Sequence, residues 1–146
     1  EITWRDWSSD VCSSDLGGPL LAKSGRRSPR AAKRAWADSG IPPGWRHELA
    51  SAAAFWEAAQ EGSRDQDLRD LVVRLVGTSH GLGRPTFNHD ARAAGPGHME
   101  ALRELVDEGE WEAVIARTDR RWGPWGTAYL EALLRAADCS ISSEGK

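Results

Sequence analysis

Three short stretches carry residues able to hold a metal ion: Trp45-Arg46-His47-Glu48, Thr78-Ser79-His80-Gly81-Leu82-Gly83-Arg84-Pro85 and Leu134-Arg135-Ala136-Ala137-Asp138. Each sets a potential ligand on the inner side, or at the inner end, of an apolar helix. A buried imidazole or carboxylate is costly unless it is paired, hydrogen-bonded or bound to a metal. Two imidazoles and a carboxylate suit Mn, Fe, Ni, Co or Zn better than Ca. Taken singly, each residue has a plainer explanation. A buried His is more often a hydrogen-bonded core residue than a ligand, and Asp138 at a helix end can accept from backbone amides or pair with Arg135. The three together, in this order and on three separate helices, point to a metal.

The elements that must position them are read from apolar spacing. Trp45, Leu49, Ala52, Ala53 and Trp56 mark one stripe of a helix over 45–61, and the opposite side carries His47, Ala50, Ser51, Ala54 and Ala58. A helix apolar or small nearly all round is a buried one, which places His47 in packed protein. A second helix is expected over 64–80, with Leu68, Val72, Leu75 and Val76 as its core face and His80 continuing the buried side. Gly81 and Gly83 end it. A Gly-, Pro- and Asn-rich loop follows to Gly97. Met99, Leu102, Leu105 and Val106 mark a third helix, and Trp111, Val114, Ile115 and Trp122 a fourth. The last opens at Gly123-Pro124 and carries Trp125, Leu130, Leu133 and Leu134 to Asp138. No stretch alternates with the period of two that a strand requires. The expected fold class is all-α.

In these residues the chain resembles a family. Gly-Trp-Arg-His-Glu-Leu-Ala-Ser, Leu-Val-Gly-Thr-Ser-His-Gly-Leu-Gly-Arg-Pro and Trp-Gly-Thr-Ala-Tyr-Leu-Glu-Ala-Leu-Leu-Arg-Ala-Ala-Asp are similar to the HD nuclease domain of the CRISPR-associated helicase–nuclease of type I systems. The resemblance runs from about Lys23 to Ser142. It implies an HD-domain helical bundle holding one or two divalent transition metals (Mn, Ni, Co, Fe or Zn, with Mg a further candidate) that activate water to cut single-stranded DNA. It implies as partners single-stranded DNA, a helicase domain in the same or another chain, and the CRISPR surveillance complex, in a prokaryotic cytoplasm. By resemblance, His47, His80 and Asp138 are both metal ligands and catalytic residues. Arg84 stands where it could meet a phosphate, and a structural role in its loop is an equal alternative. Arg46 is another candidate contact to DNA, and the basic run with Lys23, Arg26 and Arg27 either contacts phosphates or is a solvated connector.

Two departures from the family pattern matter. Ser79 replaces the first His of the usual pair, and a hydroxyl is a much weaker ligand. The family's upstream His and its His-Asp dyad have no counterpart between Gly17 and Arg46. His89-Asp90 spells the dyad, but after His80 and in a Gly/Pro-flanked loop, so it reads as a decoy. His98, at a helix start, reads as a surface residue.

The simplest expected account of that gap lies at the N-terminus. Arg5 to Leu16 resembles the translation of a sequencing-library adapter, and Glu1 to Leu16 has neither the basic start nor the apolar run of a signal peptide. The expected organisation is a non-native leader at 1–16, a basic connector with a short helix at 17–43, the C-terminal part of the HD domain at 44–142 and a tail at 143–146. The bundle is thus expected to be incomplete at its N-terminus, and inactive by itself. The whole chain has 19 basic and 22 acidic residues; setting aside Arg5, Glu1, Asp6, Asp10 and Asp15 leaves 18 of each. Without Cys12, Cys139 stands alone and no disulfide framework is available. No apolar run approaches the roughly 20 residues that span a bilayer.

Two other readings compete with the nuclease. One is an HD phosphohydrolase acting on nucleotides, for which no nucleobase contacts are identifiable. The other is a non-catalytic helical interaction module, in which the His residues are core.

Overall fold

The computed structural model describes residues 46–62, 65–87 and 97–144, with Arg34 and Ala37 besides. The leader, Lys23, Arg26 and Arg27 with nearly all of the basic connector, and the His89-Asp90 pair lie outside the described residues. These form helices and no strand, so the all-α expectation holds. The order is α1 (His47–Gly62), α2 (Gln66–Gly77), α3 (Met99–Leu102), which continues as a π-helical turn over Arg103–Asp107, and α4 (Glu110–Glu144). No described helix is long and apolar enough to cross a membrane.

Apolar spacing builds most of the core where expected along α1, α3 and the first half of α4, although Met99 is exposed and Trp122 only partly buried. Leu49, Ala52, Ala53 and Trp56 pack with Leu102, Leu105, Trp111 and Val114. Leu49, Leu102 and Leu105 are fully buried, each worth about 1.5–3 kcal/mol over leaving it in water. Trp56 keeps its indole N–H satisfied by donating to Glu104 Oε2 at 2.8 Å, and the Arg69 guanidinium lies 4.4 Å above its ring.

In α2 the expected face is only partly right: Val76 packs against the core. Leu68 is exposed, and Val72, Leu75 and Val76 are only partly buried, while Asp70, Val73, Arg74 and Gly77 face inward. The reason is an ion cluster that outweighs apolar spacing. Arg74, 3 % exposed, donates through Nε to Glu131 Oε1 at 3.1 Å and through Nη1 to Asp119 Oδ1 at 2.6 Å and Thr118 Oγ1 at 2.8 Å. Asp70 accepts from Arg117, whose guanidinium is held more firmly protonated by that bond. A buried charge is tolerable when partners of opposite sign satisfy its hydrogen bonds, and here α2 and α4 supply them to each other.

The same cluster explains why the expected core of the last helix is also misplaced. Trp125 and Leu133 are exposed, Leu130 and Leu134 half-buried, and the buried residues are Thr127 and Glu131. Gly123, at φ 73° and ψ 156°, breaks α4 just before Pro124, where proline has no N–H for the preceding turn. Thr118 and Asp119 before the break and Thr127 and Glu131 after it converge on the Arg74 cluster. The helix then runs on to Glu144, beyond the expected end at Asp138.

Candidate metal centre

The first helix begins at His47, because the Arg46 carbonyl accepts from the amides of Leu49 and Ala50, both at 3.2 Å. Helix positions repeat at three and four residues. Glu48 therefore shares the inward stripe of Ala52 and Trp56, and it is 3 % exposed. His47, one position earlier, lies at the edge of that stripe with its side chain 47 % exposed. The expectation that His47 sits in packed protein is corrected: its face of α1 is built from small residues that are only partly covered.

The second histidine arrives from the end of α2. That helix stops at Gly77, earlier than expected, because the Thr78 hydroxyl donates back to the Arg74 carbonyl and the chain turns, with the Gly81 amide bonded to the Thr78 carbonyl at 2.8 Å. His80 lies in this turn and is exposed, not on a buried helical face. Gly81 and Gly83, both at φ 78°, shape the loop after it. At Gly83 a side chain would also strike Phe87, since a Cβ there would come within 2.6 Å of that ring.

The two imidazoles meet edge to face, with centroids 4.6 Å apart and ring planes at 76°. Glu48 completes the group: one donor atom from each of His47, Glu48 and His80 lies within 4.8 Å of the others. Bonds of about 2.0–2.2 Å to a common ion would hold opposed donors at most about 4.4 Å apart, so a small contraction seats a metal. The carboxylate supports the fit. Glu48 Oε1 is ion-paired with Arg46 Nε at 3.1 Å without a well-directed hydrogen bond, so the buried carboxylate faces one cation already and keeps lone-pair directions for another. Two nitrogens and an oxygen suit a first-row transition metal.

Electrostatics keep His47 available as a ligand. Burial pushes its pKa below the ordinary 6.5, with His80 and Arg46 adding to the lowering, while Glu48 and Asp138 act in the opposite direction. A neutral imidazole at neutral pH offers the lone pair that a metal needs.

Of the three ligands named from sequence, the fold brings His47 and His80 together. Asp138, exposed near the end of α4, is close enough to act on His47 electrostatically but is not in the tight group. Glu48 was missed, although its place one turn before Ala52 on the core stripe was a readable signal. Arg46 is turned to Glu48. Arg84 is paired through Nη1 with Glu131 Oε2 at 2.7 Å, the structural alternative to meeting phosphate. Ser79 is partly buried beside His80. His98 is half-buried, ion-paired with Glu57, and opens α3 at φ 54°. Cys139 is exposed and reduced. Compared with family models, curated proteins and solved structures, the chain matches none.

Proposed function

We propose that His47, Glu48 and His80 belong to an HD-type, metal-dependent nuclease centre that cuts single-stranded DNA in CRISPR interference. The observation that carries the reading is the meeting of two histidines, one opening α1 and the other in the turn after α2, with a buried carboxylate whose Oε1 accepts no directed hydrogen bond. The nuclease identity rests on the resemblance of the three motifs. A bound Mn, Ni, Co, Fe or Zn ion would supply Lewis acidity and a water acidic enough to attack a phosphodiester near neutral pH. The chain's own part is to present His47 unprotonated, to aim the Glu48 carboxylate from the first turn of α1, and to hold His80 in the turn after α2. Asp138 adds negative charge at the rim. DNA is expected to approach along Lys23, Arg26 and Arg27, with a helicase domain and the CRISPR surveillance complex as partners in a prokaryotic cytoplasm.

The test is digestion of a single-stranded oligonucleotide in Mn(II). One arm uses the chain alone, and another the chain extended upstream by a segment bearing the family's His-Asp dyad. The chain alone is expected to cut little, since among the described residues only His47, Glu48 and His80 form a group able to hold the ion. The extended protein is expected to cut in an EDTA-sensitive way, and His47→Ala is expected to abolish the cutting. Cleavage of the extended protein that survives both His47→Ala and EDTA would overturn the proposal. Selective hydrolysis of free nucleotides would favour a phosphohydrolase instead.

A further inference from the structure

The loop after α2 lies alongside the second half of α4 in a defined register. Arg84 Nη1 is 2.7 Å from Glu131 Oε2, and a Cβ on Gly81 would sit 3.5 Å from Arg135 Nη1. Going back along the loop from Arg84 to Gly81 therefore means going forward along α4 from Glu131 to Arg135. His80, the next residue back, is carried towards the turn of α4 that holds Asp138. The lengths agree. The seven positions from Glu131 to Asp138 rise about 10.5 Å in a helix, and the four from His80 to Arg84 can reach about 13–14 Å when extended.

The α4 end of this contact is buried and paired. Glu131 is 7 % exposed, and its other oxygen accepts from the buried Arg74 at 3.1 Å. Between His80 and Arg84 the loop contains Gly81 and Gly83, both at positive φ, and glycine of itself restricts backbone motion least. The Trp111 indole N–H bonded to the Gly83 carbonyl at 2.8 Å ties the loop to the first half of α4, and the Arg84 pair ties it to the second half. Two ties on opposite sides of the Gly123 break fix the loop's direction as well as its height.

We propose that Arg84 is a positioning residue for the metal centre: its pair with Glu131 sets the place along α4 at which the His80 turn lies, and hence the approach of His80 to His47 and Glu48. The proposal rests on the reading of His47, Glu48 and His80 as a metal centre. It also gives Arg84 a role distinct from phosphate binding, since its charge is directed at a buried carboxylate.

The experiment is a titration of the full chain with Co(II), read by calorimetry and by visible absorption of the bound ion. The proteins are the wild type, Arg84→Met, Arg84→Lys, Glu131→Gln, the Arg84→Met/Glu131→Gln double variant, His47→Ala and His80→Ala. Groups that orient a ligand without touching the metal typically alter affinity 10–100-fold. Arg84→Met is expected to weaken Co(II) at least about tenfold and to change the absorption band, with thermal unfolding lowered less than in Arg74→Met, because Arg84 is 42 % exposed and Arg74 still pairs with Glu131. Arg84→Lys is expected to recover most of the affinity. The double variant is expected to bind no more weakly than its weaker single parent, since both changes remove one contact. Wild-type affinity and an unchanged band in Arg84→Met would overturn the positioning role and leave the metal centre standing. So would a loss in Arg84→Met that Arg84→Lys does not recover. A wild type that takes up no Co(II), or takes it up equally after His47→Ala and His80→Ala, overturns the metal centre and the positioning role together.

Discussion

The ring of His47 meets the ring of His80 edge to face, centroids 4.6 Å apart, although one residue opens α1 and the other lies in the turn beyond α2. Neither is deeply buried, so the pair is not a pair of core histidines. Their contact brings two nitrogen donors to one rim, above a carboxylate that is itself nearly inaccessible.

The ligand set that the fold assembles differs from the one read in sequence, and metal affinity should rank accordingly. Glu48→Gln is expected to weaken Co(II) or Mn(II) more than Asp138→Asn does, because Glu48 lies within 4.8 Å of both imidazoles and Asp138 is outside that group. Calorimetric titration of the two variants decides the order. An equal or larger loss in Asp138→Asn would show that the end of α4 closes onto the ion.

In the metal-free protein, His47 is expected to titrate below the ordinary 6.5, since burial, with His80 and Arg46, disfavours its charged form. The unfolded chain then takes up this proton at a higher pH than the folded one. Lowering the pH through 6.5 therefore removes stability until the folded His47 also protonates, and further acid costs nothing more at this residue. The histidine ring proton signal in NMR measures the midpoint. Glu48→Gln should lower it further by deleting a negative charge, and His80→Ala should raise it by deleting a positive one.

Arg74 joins α2 to both halves of α4, and its removal would leave Glu131 and Asp119 less compensated. Arg74→Met is expected to cost about 3–5 kcal/mol, the range for losing one partner of a buried ion pair. The exposed Arg121–Asp67 pair provides the contrast, with Arg121→Ala expected to cost less than about 1 kcal/mol. Urea unfolding of the two variants compares them directly. Similar midpoints would mean that the interior cluster is solvated.

Gly77 ends α2 with the Trp111 ring against its Cα, so an added methyl has no room. Gly77→Ala is expected to lose at least about 1–3 kcal/mol through forced repacking. Gly97, where a Cβ meets nothing within 4 Å, should accept alanine within about 0.5 kcal/mol. Thermal unfolding midpoints separate the two outcomes.

The sequence by itself determined that the described chain is helical, where most of its helices lie, and which histidines could meet. Leu49, Ala52, Ala53 and Trp56 recur at the helical period, and Gly123-Pro124 interrupts any helix that reaches it. Those signals are local, and the structure follows them. Spacing could not reveal that α2 buries Asp70 and Arg74 beside Val73, or that the second half of α4 buries Thr127 and Glu131 rather than its leucines. The inward turn of Arg74 depends on Glu131, Asp119 and Thr118 arriving from another helix. The burial of Glu48 on the core stripe of α1 was readable, but its meeting with His80, and the absence of Asp138 from that group, were not. A helix period says which residues share a face, while the partner across that face is settled only when separate helices pack, because a buried charge is stable only where an opposite charge from another element meets it.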